Sequence, residues 1–230
     1  AARLRMHNSR VLVDLAEQVL TVDELQWAPV EAGKAKTKAS KVLILCICHV
    51  TNDITLDNAN DFSTVVVTTG NNVTLNDVNA LDLGASTVSG TLNVTTAGAI
   101  TDSGNLAITG VTTLAAGAGN DITLNNANDF STVIVTNGNN VTLNDVNALD
   151  LGASTVSGAL NVTTAGALTD SGNLAVTGTT TLAAGAANSI TLDNANDFST
   201  VVITNGNNVT LNDVNALNFG ASTVSGALNV

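Results

Sequence analysis

Ile54-Thr55-Leu56, Val73-Thr74-Leu75 and Leu92-Asn93-Val94 start 19 residues apart, and each triplet reads apolar–polar–apolar. In a strand, side chains alternate between faces, so the outer residues of each triplet share a buried face and the middle one points away. Thr55, Thr74 and the later Thr123 are therefore expected to face solvent. A fourth triplet, Leu106-Ala107-Ile108, follows 14 residues after Leu92, and 16 residues later the pattern restarts at Ile122. Sub-units of 19, 19, 14 and 16 residues fill a block of 68.

That block is copied along the chain. The first copy is 54–121, the second 122–189, and a third begins at Ile190 and runs to Val230. The first two differ only at positions 57, 66, 69, 91, 100, 108, 111, 119 and 121, several of them mild apolar exchanges such as Val66 for Ile134. Self-similarity of this kind marks one supersecondary unit stacked on itself. Second strands are expected at Thr64–Thr68, Ala80–Leu83 and Thr112–Leu114. The intervening Gly, Asn, Asp and Ser clusters, such as Thr69-Gly70-Asn71-Asn72 and Asp102-Ser103-Gly104-Asn105, carry turn chemistry. Parallel strands that recur each coil with the same residues facing in define an all-β solenoid, a parallel β-helix of about ten coils.

A single coil cannot stand alone. It buries roughly six aliphatic side chains at ~1.5–3 kcal/mol each. Ordering its roughly 17 residues costs ~1–2 kcal/mol apiece in backbone entropy. Stacked neighbours supply the missing ladder hydrogen bonds and a second apolar layer. The pairs Asn60 with Asn79, Asn128 with Asn147 and Asn196 with Asn215 are each 19 apart, which predicts side-chain amide ladders at a turn.

Residues 1–51 are a different kind of chain: a cap, a fusion or an out-of-frame relic. All seven Lys and Arg, both His, both Cys and the only Trp, Pro and Met lie there. Leu12, Leu15, Val19, Val22 and Leu25 suggest one face of a helix over Val11 to Trp27, stopped by Pro29, which would cover the open end of the first coil. The segment 52–230 holds 14 Asp and no cation. Nucleic-acid binding needs Lys and Arg against phosphate, and adhesion to anionic lipid needs the same, so neither partner fits the repeats. No apolar run reaches the ~18 residues of a membrane helix.

Candidate chemistry is sparse. Cys46, Cys48 and His49 lack further metal ligands at a proper spacing. Paired carboxylates such as Asp57 with Asp61 or Asp77 with Asp82 resemble a glycosidase dyad only superficially. They recur with the copies, and no His, Lys, Arg, Glu or Tyr supports them. Calcium has weak candidates in Asp57 and Asp61 and their copies Asp193 and Asp197, although the glycine-rich pattern of calcium-binding repeats is missing and the second copy has Asn125 in place of the first acid. An ice-binding face would need an unbroken Thr row, and the series Thr55, Thr74, Asn93, Ala107 is broken. The expectation is a non-enzymatic protein without a cofactor.

Ile122-Thr-Leu-Asn-Asn-Ala-Asn-Asp-Phe130, Asn140-Val-Thr-Leu-Asn-Asp145, Leu149-Asp-Leu-Gly152 and Leu174-Ala-Val-Thr-Gly-Thr-Thr-Thr-Leu-Ala-Ala-Gly185 resemble repeats of the large filamentous-haemagglutinin-like and autotransporter-type bacterial surface adhesins. The resemblance covers 52–230. It implies a right-handed parallel β-helix, secreted or held at the cell surface, acting as a stalk. Its partners would be neighbouring repeats of a longer chain, with host-surface or matrix molecules bound through other segments.

Overall fold

The computed structural model describes residues 3–7, 10–14, 20–21, 42–46 and 52–230. Its regular elements are all strands, and apart from one hairpin every pairing is parallel, in a solenoid of about nine turns at roughly 19 residues each. The alternation read from the triplets holds: Ile54, Leu56, Val73, Leu75, Leu92 and Val94 are buried, while Thr55 and Thr74 are half-exposed and Asn93 is exposed. One continuous aliphatic core runs along the axis, with Phe130 and Phe198 its largest fully buried side chains.

Two parallel sheets form the walls. The first stacks Ile54, Val73, Leu92, Thr112 and Val133 in ladder order. It continues through Leu151 and its strand-mate Leu149 to Leu168, Ile190, Val209 and Leu228. The second stacks Thr64, Asp82, Thr101, Thr123, Thr142, Asn161 and Thr181, and ends with Val201 on Phe219. Short strands at the edge, such as Ser86–Val88 under Leu106–Ile108, close each turn between them.

The pairings correct the subdivision of the block. Leu106–Ile108 lies over Ser86–Val88, and it is Thr112–Leu114 that lies over Leu92–Val94. From Ile54 through Val73 and Leu92 to Thr112 the chain makes three turns in the first sheet. The second copy then opens half a turn later, with Ile122 in the second sheet over Ile100. Ile190, the start of the third copy, is back in the first sheet. The 68-residue block therefore spans three and a half turns, and successive copies present identical surfaces on opposite walls. The spacing alone could not reveal this, because Leu106-Ala-Ile has the same apolar rhythm as a wall strand but belongs to an edge.

The described amino-terminal strands pair onto the solenoid. Arg10–Asp14 pairs in parallel with Val42–Cys46, which pairs with Thr64–Thr69, and Leu20–Thr21 pairs with Ile54 and Thr55. Arg3–His7 folds back antiparallel on Arg10–Asp14. Within the expected helix over Val11 to Trp27, the described residues are thus strand. Val11-Leu12-Val13 satisfies a β pattern as well as a helical one, and the parallel partner Val42–Cys46 decides between them. The rest of that helix, with Cys48 and His49, lies outside the described residues. No helix among the described residues is long and apolar enough to cross a membrane.

Candidate functional site: the Asn and Asp turns

The polar chemistry of the repeats gathers where each copy begins. In the first copy, Leu56 pairs with Leu75, but the next partners are Asn60 and Asp77. Four residues on one strand therefore span the distance covered by two on the other. This two-residue excess, a β-bulge, leaves Asp57, Asn58 and Ala59 exposed. It recurs between Leu124 and Asn128 and between Leu192 and Asn196.

The bulge displaces the expected amide ladder. Asn60 sits against Asp77, and the amide of Asn79 reaches Asp61 instead, its Nδ2 donating to Oδ1 at 2.7 Å. Asn147 with Asp129 and Asn215 with Asp197 repeat the same contact at 2.7 Å. Asn60 Nδ2 donates to the carbonyls of Leu56, Asn58 and Asn76. Its copies Asn128 and Asn196 are fully buried and staple coils together. Their Oδ1 atoms accept the N–H of Leu106 and Leu174, and their Nδ2 atoms donate to Asp102 and Asp170, all at 2.8 Å.

The calcium candidates divide accordingly. The carboxylates of Asp61 and Asp197 are engaged by asparagine amides. Asp57 and Asp193 are exposed, and their carbonyls accept from Asn76 and Asn212. Asp197 and Asn215 border a shallow recess with Ala175, Val176 and Phe198. Among the described residues no three His, Cys, Asp or Glu gather closely enough to hold a metal ion.

The carboxylates that matter most for the fold are others. Asp145 is buried; one oxygen accepts the N–H of Phe130 at 2.7 Å and the other that of Asn147 at 3.0 Å. Burial raises its pKa, the hydrogen bonds from Phe130 and Asn147 oppose that rise, and Asp129 adds to it. Asp77 and Asp213 hold Phe62 and Phe198 in the same way. Asp102 receives the N–H groups of Asn125 and Asn126 besides the Asn128 amide, and Asp170 receives those of Asp193 and Asn194 besides the Asn196 amide. Asp53 and Asp121 are exposed, and their pKa values are lowered first by the backbone N–H of Asn72 and Asn140. Asp102 and Asp170 were beyond sequence spacing, since their donors lie 23 to 26 residues away across an irregular coil.

The array is thus a set of acceptors matched to local N–H groups, repeated with each copy. The family model described as repeats of unknown function (DUF5649) matches residues 70–137, 138–205 and 206–230. That is more than half of the chain, and the chain belongs to this family. Its unit has the same 68-residue length as the copies above, in a different phase. No curated protein and no solved structure matches the chain.

Proposed function

We propose that this chain is a non-enzymatic structural stalk of a large secreted or cell-surface adhesin-like exoprotein, a rod that spaces or displays binding segments carried elsewhere. The observation behind it is the continuous core, assembled from near-identical copies of one 68-residue block. A binding or catalytic centre needs one constellation unlike its surroundings. Here the carboxylates recur copy by copy, and their hydrogen bonds go to turn N–H groups. A rod built this way lengthens by a fixed increment with each copy. The likeness of its motifs to surface-adhesin repeats supports the extracellular assignment.

The test is to add copies. Each inserted 68-residue block should lengthen the particle by roughly 17 Å, three and a half rungs of ~4.8 Å, when measured by electron microscopy or small-angle scattering. A particle that grows in girth instead contradicts the stalk. The alternative is a calcium-stabilised surface module, favoured by the exposed Asp57 and Asp193. A thermal melt that rises markedly with calcium over chelator would select it, and equal melts would select the stalk held by its own core.

A further inference from the structure

Five Asn-x-Thr triplets occur in the chain, at Asn72, Asn93, Asn140, Asn161 and Asn208. This is the acceptor pattern for N-linked sugar, in which the asparagine amide and the hydroxyl two residues on are recognised together. The fold sorts the five into two kinds. Asn72 donates to Asp53 Oδ1 at 3.0 Å, and its Oδ1 accepts from the N–H and hydroxyl of Thr91. Asn140 is tied in the same way to Asp121 and to the Ala159 N–H, and the Asn208 oxygen accepts the Ala227 N–H.

Asn93 and Asn161 differ. Each sits in mid-strand, in Leu92–Thr96 and Leu160–Thr164, with its amide exposed and no hydrogen bond to another described residue. Alternation puts Thr95 and Thr163 on the same outer surface, also exposed, with the valine between them buried. The ladder neighbours are short: Thr74 and Thr113 flank Asn93, and Thr142 and Thr181 flank Asn161. Amide, hydroxyl and open space thus coincide at these two positions, and the half-turn between copies places them on opposite walls.

We propose that Asn93 and Asn161 are acceptor sites for N-linked glycosylation. The co-reactant is a sugar activated as its diphosphate ester. The Nδ2 of asparagine forms a bond to the anomeric carbon, the bond from that carbon to the diphosphate oxygen breaks, the nucleoside or lipid diphosphate leaves with the electron pair, and one amide proton passes to a base of the transferase. Sugars at both sites would hydrate the two walls and oppose side-by-side packing of rods.

The folded 230-residue chain is incubated with a nucleoside-diphosphate hexose or, separately, a lipid-diphosphate oligosaccharide, each with a transferase that recognises Asn-x-Ser/Thr. Occupancy is read by peptide mass mapping after cleavage at Asp, since no Lys or Arg lies beyond Lys41. Asn93 and Asn161 are expected to be modified roughly tenfold or more ahead of Asn72 and Asn140, whose amides must first give up hydrogen bonds. Asn93→Gln and Asn161→Gln each remove one of the two masses, and the arm that labels identifies the donor. Denatured chain, in which all five triplets are free, loses the preference. Modification of the denatured chain with none at Asn93 and Asn161 in the folded one, or folded-chain modification confined to Asn72 and Asn140, overturns the proposal.

Discussion

The coil that starts at Val73 and the coil that starts at Thr112 are built from the same residue types and behave differently. In the first, Val73–Asp77, Leu81–Leu83 and Ser86–Val88 each meet the next coil in unbroken register. Register slips just before the second, between Ile108 and Val111, and again within it at Ala115. Gly117 then turns through a positive φ of 88°, and the bulge follows before Asn128. The regular coil repeats a spacing. The irregular one absorbs extra residues, and the 68-residue block ends half-way round it, so that the next copy opens at Ile122 in the opposite wall. Its open turns are secured by polar side chains in place of ladder bonds, above all by the buried Asp145 and Asn128 and the half-buried Asp102.

Predictions follow from this contrast, from the largest expected effect down. Phe130 fills the core where the bulge ends, so Phe130→Ala should cost about 3–5 kcal/mol in a denaturant melt. A loss no larger than that of an exposed-site change such as Val146→Ala would mean the irregular coil is not packed as described. Asp145→Ala orphans the buried N–H of Phe130, at ~1–3 kcal/mol, and leaves the more exposed N–H of Asn147 to solvent, and Asp145→Asn, which keeps one acceptor, should lose less. Equal losses for the two would show that the one acceptor and the volume that asparagine keeps contribute nothing there.

A regular coil can be broken by size alone. A Cβ on Gly152 would lie 2.5 Å from Ile134 Cγ1, so Gly152→Ala should cost about 1–3 kcal/mol. At Gly119, where a Cβ meets nothing within 4 Å, alanine should be tolerated, as it is at position 187 in the second copy. Comparing the two melting temperatures checks the packing directly. In the other direction, Thr180 is fully buried with a hydroxyl that has no partner. Thr180→Val should stabilise by roughly 1 kcal/mol, and a loss would mean that the hydroxyl is satisfied.

The smallest effects are in pH. The pKa of Asp145 is raised by burial, so the native state keeps its proton to higher pH than the unfolded chain does. Its contribution is most favourable below the unfolded carboxylate value and falls as pH rises through the folded one. Asp53 and Asp121 have lowered values, so their contribution is present above the unfolded value and is lost as pH falls through the folded one. Carboxyl titration by NMR should therefore order Asp145 above Asp121, and the reverse order would contradict the burial of Asp145.

Much of this was legible in the sequence. The inward-facing aliphatics, the parallel stacking and the outward Thr55 and Thr74 follow from period two and a spacing of 19. What stayed hidden depends on register. Leu106-Ala-Ile looked like a wall strand, which also made the outer row seem to run from Asn93 to Ala107, whereas it runs to Thr113. Asn60 and Asn79 had the right spacing for a ladder and were separated by a bulge that their own residues do not announce. Val11 to Asp14 fits both periods, and only a distant partner strand resolves it.

The half-turn between copies is the central claim, and it rests on whether Asn93 meets Thr113 or Ala107. With Cys46 and Cys48 replaced by Ser, the double variants Asn93→Cys/Thr113→Cys and Asn93→Cys/Ala107→Cys are oxidised and the disulfides mapped by mass spectrometry. Ladder neighbours fall within the ~4.4–6.8 Å Cα separation that a disulfide spans. The first pair should form the bond readily and the second should not. A disulfide in the Ala107 variant and none in the Thr113 variant would return the block to whole coils and contradict the account.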